Sequence, residues 1–179
     1  MAEGRRRTAT TGDLVRSLLL IIVPILIITF VFTRNTGDHP VEAVDVGPVL
    51  GQARQQAPYP VLAPAALPPE WVPTRVSWEP DGHDGAPPRE LWQVGYLSPD
   101  RIYFGLSQSP DSDDLITAQT RDGLPDGTST VVDTTWERRL SPDGRTRSLV
   151  RVGDEVTTVI VADTDYAALE AFAGTLRSG

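Results

Sequence analysis

A chain of 179 residues with no cysteine and no lysine has few places to put chemistry. Its two histidines are His39 and His83. His83 lies in Pro80-Asp81-Gly82-His83-Asp84-Gly85, where Asp81, His83 and Asp84 could coordinate a cation. Their spacing departs from the calcium loop of an EF-hand, so a solvated loop is the simpler reading. Asp111-Ser112-Asp113-Asp114 is a second loose set of oxygen ligands, and helix capping explains it better. Nucleophilic catalysis needs a nucleophile, a base and a group to orient the base. Without cysteine there is no thiolate nucleophile, thiolate metal site or disulfide. Without lysine there is no Ser-x-x-Lys, and neither a Gly-x-Ser-x-Gly elbow nor a glycine-rich phosphate loop occurs. Paired carboxylates remain open in principle, but nothing singles out a pair. The chain reads as a non-enzyme with no catalytic, cofactor-binding or metal residues.

The aromatic residues carry more information. Trp71, Trp78, Trp92 and Trp136 all fall on expected strands. On the strand 91–98, Trp92, Val94 and Tyr96 share one face, because side chains alternate along a strand. Tyr103 belongs to the neighbouring strand of the same hairpin. The plain account is sheet packing by large rings with polar tips. The functional alternative is a shallow aromatic groove for a lipid, glycan or peptide, with Trp92, Tyr96 and Tyr103 as the candidate ligand or partner face. Gly95 and Gly105 leave room for a ring across the sheet under either account.

The elements that position these residues begin with "LLLIIVPILIITFVF", Leu18 to Phe32. Between Arg16 and Arg34 lie 17 uncharged residues, about 26 Å as a helix. That is the short end of a membrane span. Leu14 and Val15 lengthen it if Arg16 snorkels. Pro24 is tolerated in a bilayer as a kink. A buried core helix is disfavoured because every face is apolar. A cleaved export signal is disfavoured because no small-residue cleavage site follows. An uncleaved anchor over 14–33 is the favoured reading, with the lipid bilayer as its partner. Arg5, Arg6, Arg7 and Arg16 precede the span, so the positive-inside rule places the N-terminus in the cytoplasm and the rest of the chain outside it. Residues 35–179 hold 11 Arg against 22 acidic residues. An acidic domain repels nucleic acid.

Residues 1–13 read as a basic cytoplasmic tail and 34–69 as a Pro/Ala-rich linker. Within the linker, Val46–Gln56 suits a short helix with Val49, Leu50 and Ala53 on one face. The proline-rich run 57–69 is an extended spacer, or else wraps onto the domain through Tyr59, Val61, Leu62 and Leu67. Residues 70–179 read as an extracytoplasmic α+β domain. Its strands are expected at 71–78, 91–98, 101–108, 128–140, 145–152 and 156–162. Turns fall at Ser98-Pro-Asp-Arg101 and Ser141-Pro-Asp-Gly144. Helices are expected at about 111–121 and 166–177, the latter with Tyr166, Leu169, Phe172, Ala173 and Leu176 on one face. The expected fold class is thus an N-terminal single transmembrane helix followed by an antiparallel sheet of about six strands, with one or two helices on one face.

Leu67-Pro-Pro-Glu-Trp71, Leu91-Trp-Gln-Val-Gly-Tyr-Leu-Ser-Pro99, Tyr103-Phe-Gly-Leu-Ser-Gln-Ser109, Trp136 and the closing 159–176 segment form a recognisable series. With the basic start and apolar span before them, they resemble the uncharacterised actinobacterial membrane proteins catalogued as domain of unknown function 4245. That family often has glycine two residues before the middle-strand tryptophan, where this chain has Thr134. The resemblance implies topology and fold and brings no activity with it. The functional expectation is a single-pass cell-membrane protein whose extracytoplasmic domain acts non-enzymatically in the cell envelope, as an accessory or interaction module for an envelope membrane protein. Capture of an envelope lipid, glycan or peptide is the alternative.

Overall fold

The computed structural model describes residues 18–26, 29, 42–80 and 89–179. His39 and the loop holding Asp81, His83 and Asp84 lie outside the described residues. The chain divides into two units, Met1–Pro40 and Val41–Gly179.

In the first unit, residues 18–26 and 29 are helical, and the helix runs through Pro24. Every described side chain in 18–26 is exposed. The expected span over 14–33 lies partly outside the described residues. Among those described, no helix is long and apolar enough to cross a membrane.

The second unit is α+β. Its elements are helix α1 (Val46–Gln56), strands β1 (Leu62–Pro64), β2 (Val72–Glu79), β3 (Leu91–Leu97) and β4 (Tyr103–Ser109), helix α2 (Ser112–Thr120), strands β5 (Leu124–Val131), β6 (Thr134–Leu140), β7 (Arg147–Val152) and β8 (Thr157–Ala162), helix α3 (Tyr166–Ala173) and strand β9 (Leu176–Ser178). Seven strands form one antiparallel sheet in the order β2-β3-β4-β8-β7-β6-β5, and β1 pairs with β9 in a separate ribbon. The two Ser-Pro-Asp turns close as expected, with Arg101 N–H on Ser98 C=O at 2.9 Å and Gly144 N–H on Ser141 C=O at 2.8 Å.

Four expectations need correction. The long strand 128–140 is a hairpin, β5–β6, turned by Val132 and Asp133, both at positive φ (47° and 59°). The helix expected to reach Arg177 ends at Ala173, and β9 follows it. Gly174 marks the stop, and the Thr175 hydroxyl caps it by donating to Phe172 C=O at 2.7 Å. The helices do not share one face of the sheet. Leu149 and Ile160 belong to the core with Ala53 of α1 and Leu169 and Phe172 of α3. Their strand neighbours Val150 and Val159 pack instead with Leu115 of α2. Alternation along a strand puts these two sets on opposite faces, so α2 covers the second face.

The fourth correction concerns the linker. The compact unit begins at Val41, not near residue 70. Asp45 caps α1 through Gly47 N–H at 3.0 Å, and Ala53 is fully buried with Val46, Val49 and Leu50 packed around it. The following strap, 57–64, is docked rather than spaced. Tyr59, Val61 and Ala63 are buried. Burial of three apolar side chains outweighs the freedom of an extended proline-rich chain, each contributing roughly 1–3 kcal/mol.

Candidate functional site

The candidate face Trp92–Tyr96–Tyr103 divides. Trp92 has no exposure at all. Its Nε1–H donates to Leu62 C=O at 3.0 Å, so it grips the strap rather than a ligand. Gln108, opposite Trp92 in the β3–β4 pairing, takes the other polar group of the same residue: Leu62 N–H donates to its Oε1 at 2.7 Å. The Gln108 amide donates to Pro60 C=O at 3.3 Å and to Thr158 Oγ1 at 3.2 Å. Tyr59 adds a third anchor through its hydroxyl, which donates to the carbonyls of Glu90 and Gln108. Burial raises the Tyr59 pKa far above the ordinary phenol value.

Tyr103 points to the other face of the sheet. Tyr96 pairs with Phe104 in the β3–β4 register, so Tyr103, one residue earlier, is inverted relative to Tyr96. Its ring lies over Gly95 and Gly105, where a Cβ on Gly95 would overlap it. Tyr103 keeps 42% of its surface exposed. Burial raises its pKa while the positive charge of Arg75 opposes the rise. Arg75 Nη2 donates to Gln93 Oε1 at 2.8 Å, and Gln93 Nε2 donates to Ser107 Oγ at 3.2 Å, a polar ladder across β2, β3 and β4 beside that ring.

Tyr96 remains half-buried on the first face, and there a different aromatic group assembles. Its ring is 6.3 Å from Phe172 of α3. Trp71 stacks on Phe172 with centroids 5.7 Å apart and tilts against Phe104 at 4.9 Å. Phe104 and Phe172 are buried, while Trp71 is half-exposed. Trp71, Phe104 and Phe172, without Tyr96, floor and wall an open cleft of about 410 Å³. Leu67 and Pro68 form one side, Pro99, Asp100 and Ile102 another, and Ala168 and Ala171 line it from α3. The Leu-Pro-Pro-Glu-Trp motif and the apolar face of the last helix were both visible in the sequence; that they meet was not.

Polar groups also cluster away from this cleft. Ser129 Oγ–H donates to Glu170 Oε1 at 2.6 Å, and Arg138 Nη2 donates to the same oxygen at 2.6 Å. Those two bonds hold Glu170 below the usual carboxylate range, the wrong direction for a base that would activate Ser129. Tyr166, beneath Arg138 at 4.7 Å and bonded to Asp126 at 2.8 Å, is pushed up to about 12, chiefly by burial and then by that bond. Together these groups tie β5 and β6 to α3. Asp111 occupies the N-cap position of α2 without a side-chain cap bond, and Asp113 and Asp114 fall in its first turn. Among the described residues, no three His, Asp or Glu side chains are grouped to hold a metal ion.

A family model described as "Protein of unknown function (DUF4245)" matches residues 6–176. No curated protein matches the chain. Among solved structures, MucB in complex with MucA(peri) matches at 16% identity and a TM-score of 0.38, over 65% of this chain and 36% of that one.

Proposed function

The chain belongs to the DUF4245 family of proteins of unknown function, and within it we propose a membrane-tethered, extracytoplasmic, non-enzymatic interaction module of the cell envelope. The tether is the apolar helix-forming stretch around residues 14–33, oriented by the arginines before it. The observation that supports recognition is the open cleft walled by Trp71, Phe104 and Phe172. A half-exposed Trp71 ring over buried Phe104 and Phe172 in an apolar cleft favours contact with an apolar group of a partner. Capture of a lipid, glycan or peptide by the same cleft is the second reading, favoured by the stacked geometry of Trp71 and Phe172.

A photo-crosslinking residue in place of Asp100, at the cleft, tests this in cells with the full-length chain. One in place of Asp113, exposed at the start of α2, serves as control. A discrete protein adduct at 100, absent at 113 and lost with Ala171→Arg, is the expected result. Ala171 is exposed and lines the cleft, so arginine there fills it without opening the core. An adduct of lipid or glycan mass moves the reading to ligand capture. Equal labelling at both positions overturns a role for the cleft.

A further inference from the structure

The domain already holds one proline-rich segment through rings and side-chain N–H groups. Ala57-Pro-Tyr-Pro-Val-Leu-Ala-Pro64 is docked with Tyr59, Val61 and Ala63 buried. Trp92 Nε1–H donates to Leu62 C=O at 3.0 Å, and the Gln108 amide donates to Pro60 C=O at 3.3 Å. The Tyr59 ring meets Trp78 edge-on, with centroids 6.3 Å apart. An extended proline-rich chain cannot pair its carbonyls with its own N–H groups. Here rings cover its apolar surface and side-chain donors take its carbonyls.

The aromatic cleft repeats both elements. Trp71, Phe104 and Phe172 supply the rings. Trp78 donates its indole N–H to Gln56 Oε1 at 2.8 Å, and Trp92 donates its own to Leu62. Trp71 is half-exposed, and its Nε1–H has no acceptor among the described residues and is not a buried atom. Other polar groups in the lining are few. Of its three hydroxyl residues, Ser98 accepts from Ile102 N–H at 3.2 Å and Thr175 donates to Phe172 C=O at 2.7 Å, which leaves Thr164.

That inventory selects among occupants. An ordinary extended peptide brings an N–H at every residue, and each one that loses water without an acceptor weakens binding. Proline brings none. A glycan carries more hydroxyls than this lining can pair, and an acyl chain leaves the Trp71 N–H unused. A proline-rich segment also gives up little conformational freedom, because it is already extended when free. Asp100 is exposed in the lining and has no cationic partner among the described residues.

Resting on the reading of this cleft as a recognition site, we propose that its occupant is a proline-rich segment of a partner protein, with an arginine or lysine beside the prolines. Prolyl rings lie against the exposed part of Trp71, one carbonyl of the segment accepts from Trp71 Nε1–H, and the basic side chain meets Asp100. Ala168 and Ala171, three apart on α3, present only methyl groups along that wall. Aromatic-lined grooves take such segments in their free, extended form.

Fluorescence anisotropy tests it, with the full-length chain in phospholipid nanodiscs and a labelled, blocked Pro-Pro-Leu-Pro-Pro-Arg peptide. Saturable binding is expected, lost with Ala171→Arg. Trp71→Phe keeps a ring and removes the N–H, and weakens binding roughly three- to tenfold. The same peptide with alanine for every proline binds roughly tenfold more weakly. Glutamate in place of its arginine weakens binding at low salt, and Asp100→Asn removes that difference. If Trp71→Phe lowers the melting temperature, Ala171→Arg, on the exposed side of α3, carries the comparison. No binding, equal binding of the alanine peptide, or full affinity in a stably folded Trp71→Phe overturns the proposal. A protein adduct at position 100 without peptide binding overturns it alone and leaves the cleft a recognition site. Equal labelling at 100 and 113 overturns both.

Discussion

Leu62 has two main-chain polar groups that face away from its ribbon partner, and each meets a buried side chain. Trp92 and Gln108, on paired strands of the sheet, reach up to hold them. Such bonds matter less for what they add than for what their absence leaves, since each unpaired buried polar group costs about 1–3 kcal/mol. Gln108→Leu therefore lowers stability by roughly 3 kcal/mol, as it strands Leu62 N–H and Pro60 C=O together. Chemical denaturation reads the loss, and limited proteolysis should cut first within 57–64. A loss without strap cleavage would place the damage in the sheet instead. The sequence offered sheet packing or a ligand face for Trp92, and neither account includes the bond from its nitrogen to the strap. An aromatic residue on a strand looks the same whether its ring meets a ligand or its nitrogen meets a distant carbonyl. Tyr103 was misplaced for another reason: its face depends on a hairpin register that one residue inverts.

At the level of elements, most boundaries were legible because local chemistry set them. The Ser-Pro-Asp turns, the α1 face of Val49, Leu50 and Ala53, and the closing apolar helix all follow from short-range pattern. The β5–β6 turn was not legible. Its two central residues need the left-handed region, which Asn and Gly usually supply, and here Val132 and Asp133 fill it. Nothing in Thr128–Leu140 interrupts the strand-like pattern. For an L residue that conformation costs about 1–2 kcal/mol, and more for a β-branched one. Val132→Asn should raise stability by about 1 kcal/mol, with Tm up by roughly 3 °C. No gain in a thermal melt would mean that contacts of the valine side chain offset the strain. β9 was hidden differently: Leu176 continues the helical spacing from Phe172, so pattern alone carried the helix past Gly174.

The whole molecule couples an apolar, charge-flanked start to a domain that is acidic overall. If the proposed orientation holds, every surface described in the second unit faces away from the cytoplasm. The chain has no native cysteine, so one engineered thiol reports on that directly. Asp113→Cys, exposed at the start of α2, should react with a membrane-impermeant maleimide in intact spheroplasts as fully as after lysis. Labelling only after lysis would reverse the topology and move the aromatic cleft to the cytoplasmic side.

The β1–β9 ribbon joins the first strand of the domain to the last. Contacts between segments so distant in sequence form late, because the intervening chain must be ordered before they repay the entropy of closure. Leu62 cannot be gripped until Trp92 and Gln108 stand in their sheet, and Pro64 finds no partner until Leu176 has been made. A chain stalled or truncated before residue 176 lacks the ribbon and leaves Leu62–Pro64 without a strand partner.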